Sequence, residues 1–138
     1  MFEELKQIME NAYAPYSKFY VAAIVIYNDN SKFYGVNVEN ISFGATNCAE
    51  RTAIFKAVSE GKKNLKIKEI HILAMKHDRK KKIENLFEFT PPCGICRQVI
   101  SEFSDSNTVI YEWNLNGEHK VKSFDLYFPN QFKMESLK

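Results

Sequence analysis

The sequence has no apolar stretch approaching the roughly 20 residues that a membrane-crossing helix requires. Its opening, Met1-Phe2-Glu3-Glu4-Leu5-Lys6, lacks the basic-then-apolar layout of an export signal. An excess of one charge is missing too. Nineteen Lys and Arg face 17 Asp and Glu, and a net charge of +2 gives no basic footprint for nucleic acid. Cysteine is scarce, at three residues, and an odd number without an export layout points to a reducing cytoplasm and metal-bound thiols. No repeat, linker or low-complexity segment divides the chain, so one domain over residues 1–138 is expected. Apolar residues are plentiful, at 45% with 11 Phe and 7 Tyr, enough to fill one core without disulfide staples.

The cysteines carry the chemistry. Cys48 precedes Ala49 and Glu50; Cys93 and Cys96 form a C-x-x-C pair behind Pro92. Three soft ligands fill three of the four tetrahedral positions of Zn²⁺ and leave the fourth open for water. A closed structural site would need a fourth protein ligand. Each histidine has a plainer reading: His71 lies inside a strand pattern, His77 in a Lys/Arg-rich loop and His119 after a turn, and none has ligand spacing to a cysteine. An open site with a carboxylate two residues from a ligand is arranged to activate water. Glu50 is then the proton carrier. Arg51, three residues after Cys48 on the same helical face, is expected to draw charge from the thiolates.

The periodicity predicts a helix from residue 2 to about 12, with Phe2, Leu5, Ile8, Met9 and Ala12 on one face. Strands follow at Val21–Tyr27 and Lys32–Val38, joined by the Asn28-Asp29-Asn30 turn. A second helix starts near Cys48, capped by Asn47 or Thr46, and closes at Gly61. Ile67–Met75 is a strand, so the intervening helix suggests a βαβ unit and some parallel pairing. After a polar loop over residues 76–91, Pro92 at or next to helix position N1 opens a third helix. Strands at Thr108–Trp113 and residues 119–124 flank the Asn116-Gly117 turn.

Four ordered blocks and a tail make the chain similar to the small, zinc-dependent cytidine deaminases that act on free nucleosides. The blocks are Tyr13-Ala14-Pro15-Tyr16-Ser17-Lys18-Phe19, Gly35-Val36-Asn37-Val38-Glu39-Asn40, Asn47-Cys48-Ala49-Glu50-Arg51-Thr52-Ala53 and Pro92-Cys93-Gly94-Ile95-Cys96-Arg97-Gln98-Val99; the tail is Phe128-Pro129-Asn130-Gln131-Phe132. The resemblance runs from about residue 12 to residue 137. It implies a three-layer α/β/α sandwich around a mixed five-stranded sheet, one Zn²⁺ per chain on Cys48, Cys93 and Cys96, and Glu50 as acid and base. It implies hydrolytic deamination of cytidine and deoxycytidine in pyrimidine salvage, by a homotetramer whose pockets neighbouring chains complete. It assigns Asn37 and Glu39 to the ribose hydroxyls and base, Phe19 and Phe132 to packing on the pyrimidine, and the Ala49 N–H and Pro91 carbonyl to the base edge.

A deaminase of a cytosine-nucleoside antibiotic is the alternative, but that group lacks the Asn-x-Glu-Asn block present here. A polynucleotide deaminase would bring a basic groove or a stacking platform. Ala22 stands where the family has glycine, next to the pocket by expectation. Phe43 replaces a tyrosine, and Tyr127-Phe128-Pro129 replaces Leu-Leu-Pro. The basic loop Lys76–Lys82 is long, and its plain reading is a solvated loop.

Overall fold

The computed structural model describes residues 1–76, 86 and 88–134. Along the chain come α1 (Phe2–Met9), β1 (Phe19–Tyr27), β2 (Lys32–Val36), α2 (Ala49–Ser59), β3 (Ile67–Lys76), α3 (Gly94–Phe103), β4 (Val109–Trp113) and β5 (His119–Ser123). Short 3₁₀ turns occupy Phe43–Ala45 and Phe124–Leu126. Beyond Lys76, the basic loop lies outside the described residues.

The five strands form one sheet in the order β2-β1-β3-β4-β5. Only β3 and β4 pair in parallel; every other neighbour is antiparallel. The parallel pairing predicted around α2 therefore belongs to the next unit, β3-α3-β4. The two-faced apolar run of β1 takes an interior place in the sheet, between β2 and β3. Val21, Ala23, Val25 and Tyr27 pack under α2 and α3. Ala22, Ile24 and Ile26 pack under α1, with Leu5 and Met9. Helices on both faces make the expected α/β/α sandwich.

Helix α1 stops three residues short of the prediction. The Asn11 and Ala12 N–H groups tighten onto the Ile8 and Met9 carbonyls, and Tyr13 then leaves to bridge Val38. That bridge also cuts β2 at Val36, because Val38 pairs with Tyr13 and Asn47 instead of with β1. The hairpin turn holds Asn30 at φ +66°, a left-handed conformation that asparagine tolerates. Gly61 ends α2 as read, at φ +91°, with the Gly61 and Lys62 N–H groups closing on the Val58 and Ala57 carbonyls.

Gly35 decides how deeply α2 sits. A methyl group there would lie 2.2 Å from the Ala49 carbonyl oxygen and 2.6 Å from the Ala53 nitrogen. The bare backbone of β2 lets the first turn of α2 rest on the sheet. At the far edge, β5 is solvent-exposed and carries Lys120 and Lys122.

Candidate metal centre and active site

Strands β2 and β3 run in the same direction with β1 between them, so their carboxyl ends meet at one end of the sheet. The chain reaches α2 after the first and α3 after the second. Both helix N-termini therefore lie over the carboxyl ends of parallel strands, where open α/β sheets bind ligands. The caps are not the residues predicted. Cys48 itself is the N-cap of α2 and Cys93 that of α3, each in extended backbone, which leaves Pro92 outside the helix. The Cys93 sulfur accepts the Cys96 N–H at 3.5 Å, as a capping oxygen would. At such positions the orphan N–H groups and the helix dipole favour thiolate.

The Cys48 and Cys93 sulfurs are 3.7 Å apart. All three sulfurs lie within 4.8 Å of one another, an arrangement that could hold a metal ion. Cys96 is buried, Cys93 exposed and Cys48 intermediate. Hydrogen bonding from Cys96 first, then from Arg51 and Cys93, outweighs burial and lowers Cys48 to about 5. Cys96 moves up, because it donates to Cys48 and because it is buried. Shedding all three protons therefore calls for a cation at the centre, and a soft tetrahedral ion such as Zn²⁺ suits three sulfurs.

Glu50 is 4% exposed and shares a cavity of about 140 Å³ with Cys48 and Cys93. Burial, with the Cys48 charge adding, raises its carboxyl to about 7. It can hold or release a proton near neutral pH. Arg51 donates from Nη2 to the Cys48 sulfur at 3.2 Å and to the Thr46 carbonyl at 3.5 Å.

Phe19, Asn37 and Ala49 line the same cavity, and Thr90 and Pro91 form part of its wall. Asn37 already clamps β1: its Oδ1 accepts the Val21 N–H at 2.9 Å and its Nδ2 donates to the Phe19 carbonyl at 2.7 Å. One amide hydrogen and one lone pair remain for a ligand. Glu39 lies outside this cavity. It borders a neighbouring one with Tyr16, Ser17 and Phe43, and Thr46 touches both. Burial opposes its ionisation, but the Ser17 hydroxyl and the Ser17 and Tyr16 N–H groups hold its carboxyl below the usual range. Phe132 is 65% exposed and does not line the cavity of its own chain. The Ala22 methyl packs on the α1 face and does not line the cavity, so it is not next to the pocket as expected.

Sequence reasoning missed Ile72 and Thr90 in the lining. Ile72 reads as one more apolar residue of a buried strand, and Thr90 as part of a polar loop, so neither left a signal.

A buried carboxylate beside three clustered sulfurs, at the carboxyl ends of parallel strands, defines a hydrolytic metal centre in an α/β fold. The family model "Cytidine and deoxycytidylate deaminase zinc-binding region" matches residues 1–112. The chain belongs to that family. It is 39% identical over 137 residues to a cytidine deaminase of Halalkalibacterium halodurans, covering 99% of this chain and 95% of the relative. The crystal structure of cytidine deaminase from Burkholderia pseudomallei superposes with a TM-score of 0.81 at 37% identity, covering 95% of each chain. A blasticidin-S deaminase of Bacillus cereus is more distant, at 30% identity over 98 residues, covering 71% of this chain and 67% of the relative.

Proposed function

We propose that the protein is a zinc-dependent hydrolase that converts cytidine and deoxycytidine to uridine and deoxyuridine with release of ammonia. The observation that carries this is the buried Glu50 carboxyl in one cavity with the thiol cluster. Zinc held by Cys48, Cys93 and Cys96 supplies, when bound, a Lewis acid with an open position that acidifies water.

Glu50 takes a proton from the attacking water and delivers it to N3 of the ring. Oxygen becomes bonded to C4 as the C4=N3 double bond opens; Glu50 then takes the remaining proton of the new C4 hydroxyl and gives it to N4, so that the C4–N4 bond breaks, ammonia leaves and the C4 carbonyl forms. A carboxyl titrating at about 7 suits both directions of this transfer. Three thiolates exceed the charge of a divalent ion by one, and Arg51 offsets the excess at Cys48. Phe19 packs on the pyrimidine, the Ala49 N–H and Pro91 carbonyl read its edge, and Asn37 uses its spare amide hydrogen on the nucleoside. Glu39 binds a ribose hydroxyl by giving up part of its hold on Ser17.

The whole chain acts as one domain in a homotetramer. Ile41 (81% exposed), Phe43 (76%) and Phe132 (65%) support this, since an assembly would cover them. Phe132 then packs over the cavity of a neighbouring chain. Three cysteines left out of disulfides fit the reducing cytoplasm, and the reaction, which turns a cytosine nucleoside into a uracil nucleoside, fits pyrimidine salvage.

The test is to incubate the pure protein with cytidine, deoxycytidine, cytosine and blasticidin S, follow the cytosine absorbance band, and assay zinc in parallel. Fast loss with both nucleosides at one zinc per chain is expected. Preference for the antibiotic, or for single-stranded nucleic acid in the same assay, would overturn the substrate reading.

A further inference from the structure

Two consecutive residues of α3, directly after Cys96, reach out of the helix to the C-terminal segment. Arg97 donates from Nε to the Pro92 carbonyl at 2.9 Å and from Nη1 to the Tyr127 carbonyl, also at 2.9 Å. Its guanidinium lies 5.6 Å from the centre of the Tyr127 ring. Gln98 donates from Nε2 to the Phe132 carbonyl at 3.0 Å. The two side chains thus hold both ends of Tyr127–Phe132.

The Pro92 carbonyl belongs to the peptide bond that enters Cys93. Pro92 has no N–H, and Pro91 before it has none either, so this stretch of backbone cannot hold itself by donating hydrogen bonds. The rigid planar fork of arginine bridges two carbonyls facing different ways, which a lysine ammonium on a flexible stem does less well. Thr90 and Pro91, just upstream, form part of the cavity wall.

We propose that Arg97 is a positioning residue for the metal centre, fixing the chain that enters Cys93 against the C-terminal segment and so coupling zinc retention to the docking of Tyr127–Phe132. This rests on the zinc reading of the three cysteines. The mechanism above does not use Arg97, which touches neither the sulfurs nor the cavity. Its effect passes through the Pro92 carbonyl to the Cys93 sulfur and through Pro91 to the substrate.

The experiment starts with zinc content of the parent protein; if it binds none, the zinc reading fails and not this proposal. Zinc transfer to a chromophoric chelator is then timed for the parent, Arg97→Gln, Arg97→Lys and Tyr127→Phe. Arg97→Gln should release zinc about 10-fold faster or more, the usual range for losing a support behind a metal ligand, and should raise KM for cytidine more than it lowers kcat. Arg97→Lys should fall between. Tyr127→Phe loses the hydroxyl bond to Glu112 but keeps the carbonyl that Arg97 holds, so it should release zinc at the parent rate whatever it costs in stability. If Arg97→Gln does not fold, amide hydrogen exchange on the parent decides: zinc removal should speed exchange at the Tyr127 amide, which donates to the Phe124 carbonyl at the start of the segment that Arg97 holds. A folded Arg97→Gln with parent zinc release and parent KM would overturn the proposal, as would tail exchange indifferent to zinc.

Discussion

Glu50 is two positions from a sulfur-bearing N-cap and buried, so its raised proton affinity rests on burial first and on the Cys48 charge second. Glu50→Gln keeps the shape and removes the proton acceptor. Zinc and cytidine should both still bind while turnover falls by at least ~10². Turnover within a few-fold of the parent would place proton transfer elsewhere. In the proposed mechanism Arg51 acts by charge, in a graded way. Its field lowers the Glu50 pKa, so Arg51→Gln should move the acidic limb of the pH–rate profile to higher pH and cost less activity than Glu50→Gln. An unmoved limb would remove Arg51 from this role. The i, i+3 spacing from Cys48 already suggested that contact in the sequence. The loop contacts of Glu39 and the exposure of Phe132 could not be read there, because both depend on segments more than 20 residues apart in the chain or on surfaces that another chain would cover.

At the scale of elements, α2 depends on one missing methyl. Gly35→Ala would drive a carbon into the Ala49 carbonyl, which is rigid helix backbone, so the first turn of α2 must move. Urea unfolding should show a loss of at least about 1–3 kcal/mol, and the displaced Cys48 should weaken zinc binding. Unchanged stability and zinc content would mean that the helix accommodates the methyl without cost. Helices and strands were legible because their apolar periods survive folding; their ends were not. The α1 terminus and the β2 terminus are both set by Tyr13 meeting Val38, a pairing across 25 residues that no local pattern records. The caps were misplaced for a related reason: thiols can cap, but Ser, Thr, Asp and Asn carry the familiar signal.

For the molecule as a whole, the sandwich and its mixed sheet were expected from the family blocks, whereas the place of β1 between β2 and β3 required knowing which strands pair. Inside the sheet, His71 is 4% exposed, accepts the Trp113 indole N–H at Nδ1 and has Glu69 at 3.5 Å. Burial, which outweighs Glu69, lowers its pKa from 6.5 to about 4. A depressed histidine contributes stability that is present above 6.5 and lost as pH falls towards 4. The cost between pH 7 and pH 5 should be about 2 kcal/mol. Denaturant unfolding at both pH values should show this difference shrinking in His71→Phe, and an equal difference in both proteins would assign the acid sensitivity to other groups.

Among the described residues no strand pairs with the outer side of the exposed β5, whose backbone donors and acceptors there are a template on which another chain can add a strand. Lys120 and Lys122 put two positive charges on that edge, where repulsion between copies would oppose such pairing. A Lys120→Val, Lys122→Val double variant should retain zinc and turnover at low protein concentration yet scatter light and bind amyloid-sensitive dyes as concentration rises, while a protein that stays clear would show the edge to be guarded by other means.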